Sequence, residues 1–217
     1  YWTHDRIARY WLYLLGNLTP ENEFILVEVN NRGSSVREEV EVVGNDMLDR
    51  GFENGSEGEL YKIDDEWWFR DNWERTSRDA DWSYKGSDNP GRYHSEWMKR
   101  TRENEYDYSA LISFFKKVYV GPYTQTDIER LVDPVALMKA VAVGGYIHAW
   151  DFFSQDRGKN CYFYRRSTDG RFMFFPWDMK RSFDSAGASF YNGMTGFRPY
   201  LEKSYNMRMF KHYLVRL

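Results

Sequence analysis

The chain has 217 residues, a net charge of −3, a hydrophobic fraction of 42% and a charged fraction of 29%, which fits one large domain or two closely packed lobes and excludes a wholly disordered chain. The slightly acidic balance excludes a global positive field that would hold nucleic acid or an anionic membrane, and no apolar run reaches the roughly 20 residues that span a bilayer. Cys161 stands alone, so neither an intrachain disulfide nor a cysteine-built structural zinc site can form.

Taken in chain order, Ile7, Tyr10, Trp11, Leu14 and Leu15 fall on one helical face, with Thr3 as N-cap and Gly16 as stop. After Thr19-Pro20, the β-formers of 24–29, the turn residues Asn30 to Gly33 and the alternation over 36–43 predict a β-hairpin. A third strand is predicted over 59–63, after the Asn54-Gly55 turn. Residues 64–105 are dominated by charge, Gly and Trp without clear period and predict a long irregular excursion, of a kind that is often functional in a compact domain. Helices are expected over 108–118 and 125–132, the second with a capping box from Thr126 to Glu129. Asp133 as cap and Pro134 in the first turn lead into a helix over 135–150 that ends at Asp151. Strands over 160–166 and 171–175, joined by Ser167 to Gly170, form a second hairpin, and 200–217 closes the chain as a helix.

The informative stretch runs from Asp151 to Asp178. A helix ends at an acid, Asn160 follows nine residues on, a hairpin intervenes, and Pro176-Trp177-Asp178 supplies a second acid. Protein kinases present their active-site groups in this order, since phosphoryl transfer asks for positioned hard oxygen ligands and charge neutralisation. Spacing alone is also met by ordinary caps and turn residues.

The residues themselves go further. Asp151 with KNCYFYRRSTDGRFMFFPWDMKRSF over 159–183, SEGELYKIDD over 56–65, the Gly33 to Glu39 hairpin and the closing MRMFKHYLVRL resemble the atypical protein kinase family named after the spore-coat protein CotH. The resemblance implies an α+β, kinase-like, two-lobed fold, with a β-rich N-terminal lobe over 1–105 and a mainly helical C-terminal lobe over 106–217 whose hairpin carries active-site residues. It implies transfer of the ATP γ-phosphate to Ser or Thr hydroxyls of a protein substrate with Mg²⁺ or Mn²⁺, at a spore or cell surface or outside the cell. Lys62 would contact the ATP phosphates, and Glu39, or Glu38 one residue earlier, would orient it. Asp151 would be the catalytic acidic residue near the substrate hydroxyl, Asp178 the principal metal ligand and Asn160 a second metal or phosphate contact. The family usually carries an acid two residues after Pro-Trp-Asp, where this chain has Lys180, and its first hairpin tends to Tyr and Leu where this chain has Ser34-Ser35-Val36.

Other readings stand beside these. Lys180 and the thin Gly loop favour an inactive relative that binds nucleotide or a protein partner; Asp151 and Asp178, with many Trp and Tyr as sugar platforms, would suit a carbohydrate-active protein. Lys62 is otherwise a solvated strand-end lysine, Glu39 one charge of the run Glu38 to Glu41, His148 a hydrogen-bonded packing residue and Cys161 an inert buried thiol. Trp67, Trp68, Trp73, Trp82 and Trp97 either line a groove or pack beneath the long loop.

Overall fold

A computed structural model describes residues 2–64, 66–69, 75–78, 82–154, 159–183 and 198–217. Its first helix, α1, is Trp2–Leu14. The helix is already under way at Thr3, so Thr3 is not its cap; Gly16 does end it, with φ of 76°. Strands β1 (Asn22–Glu28) and β2 (Ser34–Val40) pair antiparallel as expected, around a turn in which Asn30, Asn31 and Gly33 take positive φ. A short helix, α2 (Asn45–Gly51), was not legible: its seven residues bury only Met47 and Leu48, too few to show a helical period.

Strand β3 (Glu59–Ile63) lies where predicted. The supposedly irregular stretch after it holds β4 (Glu66–Phe69) paired with β5 (Arg75–Arg78), and β6 (Trp97–Lys99), which pairs with β3. Strands of three or four residues are too short to show alternation, and β6 exists because β3 offers it an edge. Helices α3 (Ser109–Tyr119), α4 (Gln125–Leu131) and α5 (Pro134–Tyr146) follow. The capping box of α4 is Thr124 with Asp127 rather than Thr126 with Glu129. Asp133 does cap α5, accepting from the amides of Val135 and Ala136, but α5 stops four residues short of Trp150 because the chain turns through His148 at φ 50°. Strands β7 (Cys161–Arg165) and β8 (Phe172–Pro176) form the predicted hairpin, and α6 (Arg198–Leu201) and α7 (Ser204–Leu214) end the chain.

The main sheet has the order β6-β3-β7-β8, antiparallel throughout. It takes two strands from residues 1–105 and two from 106–217, so backbone hydrogen bonds join the two predicted halves and the β7–β8 hairpin is not set among helices alone. One face aligns Tyr61, Phe163 and Phe174 and packs on α3 and α5. The other aligns Leu60, Tyr164, Tyr162 and Phe175 and covers Val43, Met47 and Leu48. On the first face Phe163 stacks on Phe172 at 4.2 Å between ring centroids, and Trp82 meets Trp97 edge-on at 4.8 Å. Such pairs add about 0.5–1.5 kcal/mol each beyond their buried area. Trp82 and Trp97 are therefore core, not groove; Trp67 and Trp68 fall on β4, and Trp73 lies outside the described residues.

Gly144, in the last turn of α5, lies against the Phe152 ring, and a Cβ there would sit well inside contact distance of two ring carbons. Phe152 is fully buried and cannot swing aside. Gly144→Ala gains up to about 1 kcal/mol of helix propensity but overpacks the site at a cost of about 1–3 kcal/mol. Thermal unfolding is expected to show a net loss of stability, with the melting temperature several degrees lower.

Candidate active site

Helix α5 is apolar but for Lys139 and buries nine of its residues, and Ile147 just past it is fully buried, so the chain leaves its C-terminal end from a fixed point. From that end the chain turns at His148 and presents Asp151 before Phe152 and Phe153 enter the core. Phe153 stacks on Phe174 of β8 at 4.6 Å and 13°, and Phe152 lies edge-on to Phe153 at 4.2 Å. Two anchored rings thus set the place of the carboxylate before them. Asp151 is 8% exposed, and its Oδ1 is buried with no hydrogen-bond partner. Burial pushes its pKa up and the charge of Asp178 adds to that, while its own backbone amide, Lys159 and a hydrogen bond from Asn160 pull the other way; the net direction is upward.

Asn160 and Asp178 meet at the end of the β7–β8 hairpin. The amide of Trp177 donates to the Asn160 carbonyl at 2.9 Å, and Asn160 Nδ2 donates to the Asp178 carbonyl at 3.5 Å. Both residues have left-handed backbones, with φ of 55° and 52°. That conformation costs a non-glycine residue on the order of 1 kcal/mol or more, is least unfavourable for Asn and Asp, and collects at functional sites. The Asp178 carboxylate is held by Lys180, whose Nζ lies 3.0 Å from Oδ1 and 3.3 Å from Oδ2.

Lys62 lies at the same end of the sheet. It is opposite Tyr162, and Ile63 is opposite Cys161, so Asn160 is the next residue out on the neighbouring strand. The ion pair expected between Lys62 and Glu39 is not formed. Lys62 bonds Asp64 at 3.2 Å, whereas Glu39 is exposed opposite Glu23 and has no partner among the described residues. Strand alternation explains this: Glu38 and Glu39 point to opposite faces of β2, and it is Glu38 that turns inward, bonding Arg9 of α1 at 2.5 Å.

Asp5 and Arg9 form an i,i+4 pair on α1. Arg9 is 1% exposed and bonds both Asp5 and Glu38, and Asp5 Oδ1 accepts the Met179 amide at 2.8 Å. Only the absence of an apolar residue at position 9, beside Ala8 and Leu12, hinted that a charge goes inside. Cys161 is buried, and burial raises its pKa, as the inert reading requires. His148 is half-buried with Nδ1 lacking a partner, so the hydrogen-bonded packing role expected of it is not seen at that nitrogen.

As a donor set, the free Oδ1 of Asp151, the Asp178 carboxylate and the Asn160 amide oxygen suit a hard divalent cation. No group of three or more His, Cys, Asp or Glu gathers around a metal position among the described residues. Such an ion would therefore complete its shell with water and phosphate oxygens, as Mg²⁺ does in nucleotide sites. The profile of the CotH kinase protein family matches residues 10–211, nearly the whole chain. The chain belongs to the CotH kinase family. No curated protein matches it. Membership carries a kinase-like protein; Lys180, bonded to Asp178, marks where this CotH relative departs from the resemblance its sequence shows.

Because Asp151 is ionised at a cost, the sign of its linkage is fixed. A carboxyl whose pKa is higher in the folded state leaves the protein most stable below the unfolded value near 4 and costs stability as pH rises through the folded value. Asp151→Asn is therefore expected to raise the melting temperature by a few degrees at pH 7 and to lose that gain near pH 3, measured by calorimetry across pH.

Proposed function

We propose that the protein transfers the γ-phosphate of ATP to Ser or Thr hydroxyls of a protein substrate, using Mg²⁺ or Mn²⁺, through a centre of Asp151, Asn160, Asp178 and Lys62. The observation that carries this is the buried Asp151 carboxylate, whose one unpartnered oxygen lies beside Asn160 and in the field of Asp178 at the sheet end where Lys62 stands. A buried acceptor without a donor costs about 1–3 kcal/mol and is kept where a ligand supplies the donor.

In this reading Asp151 Oδ1 accepts the hydrogen bond of the incoming hydroxyl and takes its proton, a role favoured by its raised pKa. Asp178 and Asn160 hold the divalent ion, which when bound neutralises phosphate charge. Lys62 contacts the phosphates and is oriented by Asp64 in place of Glu39. The kinase-like lobes over 1–105 and 106–217 and a surface or secreted setting belong to the same proposal.

Lys180 favours a second reading, a binding module without catalysis, because its ammonium already occupies both oxygens of the proposed metal ligand. Incubation with labelled ATP and Mg²⁺ or Mn²⁺ separates the two. The kinase reading expects phosphate transfer to itself or to added protein, reduced at least about a hundredfold in Asp178→Ala. ATP-dependent thermal stabilisation without any transfer supports the binding module. No response to ATP with either cation overturns both, and release of reducing sugar from glycans would then favour the carbohydrate-active reading.

In the kinase reading, replacing Lys180 frees Asp178. Lys180→Ala is expected to lower the Mg²⁺ concentration needed for half-maximal transfer by about twofold to fivefold, since an exposed ion pair is worth at most about 1 kcal/mol.

A further inference from the structure

We propose that Asp5 is a positioning residue for Asp178, and that Arg9 extends this support to the β1–β2 hairpin through Glu38. The inference rests on the reading of Asp178 as a metal ligand. Asp5 and Arg9 both precede the residues 10–211 that match the family.

One peptide group, the one joining Asp178 to Met179, links Asp5 to Asp178. Its carbonyl accepts from Asn160 Nδ2 at 3.5 Å, and its N–H donates to Asp5 Oδ1 at 2.8 Å. The plane is therefore held at both ends, by a residue of the hairpin and a residue of α1. Rotation of that plane would change ψ of Asp178 and φ of Met179, so the two bonds fix the direction in which the chain leaves Asp178, whose own backbone is left-handed at φ 52°. The neighbouring bonds lean the same way. Lys180 O lies 3.2 Å from the His4 ring, the Phe183 amide donates to Ile147 O at 2.6 Å, and the Met179 side chain is buried.

Asp5 is itself held. The Arg9 guanidinium, fully buried, bonds Asp5 on one side and Glu38 of β2 on the other. A buried ion pair adds little net stability compared with an apolar replacement, so stability alone does not account for a buried arginine shared by two carboxylates from different elements. Among the described residues, the one backbone group that the Asp5 side chain bonds is the amide of Met179, in the peptide that follows Asp178. Groups behind metal ligands typically change metal affinity 10–100-fold when removed.

The test uses the full chain with ADP and Mn²⁺, the ion titrated by electron paramagnetic resonance, together with hydrogen exchange of the Met179 amide. Asp5→Leu removes the acceptor and is expected to weaken Mn²⁺ binding by roughly tenfold or more, with faster Met179 exchange. Asp5→Asn keeps an acceptor and leaves Arg9 paired with Glu38; it is expected to stay within about threefold of wild type. A folded Asp5→Leu protein that binds Mn²⁺ like wild type overturns the proposal, as does equal weakening by both variants. Should Asp5→Leu not fold, the wild-type Met179 amide must still be protected and Glu38→Ala, which removes the acceptor that holds Arg9, must still weaken Mn²⁺ binding; an unprotected amide or an unchanged affinity overturns it. A wild-type protein that binds no Mn²⁺ with ADP sinks the phosphoryl-transfer reading and this one with it, whereas normal wild-type binding that survives Asp5→Leu sinks this one alone.

Discussion

The ladder of β3 on β7 on β8 is what makes a site possible here. Residues 59–63 and 161–165 are about a hundred positions apart in the chain, yet their backbone pairing fixes Lys62 against Tyr162 and leaves Asn160 and Asp178 at the same end of the sheet. With strands about 4.8 Å apart, a lysine on one strand and the residues at the ends of the next two come within reach of a single ligand. The register is protected because a slip of one residue would move Tyr61, Phe163 and Phe174 out of the aromatic core. Chemistry at the rim is thus secured by packing at the centre.

Charge is distributed around this rim in a particular way. Asp64 has Lys62, Asp178 has Lys180, and Glu38 has Arg9. Among the described acids of this group, Asp151 is the one with a buried oxygen that has no donor. The paired acids can exchange their partners for a cation or a phosphate-bound ion with modest net change, since Lys62 and Lys180 are partly exposed and their pairs are worth little in solvent. Asp151 has no such exchange to make, so its carboxylate gains most from any donor that arrives.

Much of this was legible in the sequence where the signal was local. The caps at Gly16 and Asp133, the Asn-rich turn of the first hairpin and the β7–β8 hairpin follow from residue types with fixed conformational demands. The order Asp151, Asn160, Asp178 came from the residues as well, and the structure places the three together. What escaped was decided by tertiary contacts. Strand β6 has three residues and needs the edge of β3; the α4 cap differs because Thr124 and Asp127 close the box two positions earlier; α5 ends early because the chain must turn at His148 to bring Phe152 against Gly144. Lys62 takes Asp64, two residues along its own chain, while which glutamate of β2 turns inward depends on a register that single residues do not reveal. Glu38 and Glu39 are chemically alike, and only the packing of α1 distinguishes them.

That α1 does so follows from a requirement at the other end of the site. Asp178 and Asn160 both hold left-handed backbones, which Asn and Asp tolerate better than other side chains but which still cost energy and persist only where the surroundings over-determine them. On the hairpin side the determinant is the bond network between Asn160, Trp177 and Asp178. Beyond Asp178 the chain leaves the sheet and has no ladder to hold it, so the remaining constraints must come from a separate element. Helix α1 supplies them through Asp5 at Met179 and the rings of His4 and Trp11 against Phe183, at 5.1 and 6.0 Å. A buried arginine on that helix is then intelligible: Asp5 can face inward as an ion only if a cation accompanies it, and Arg9, one turn along, is placed to do this while reaching Glu38 with its other nitrogen.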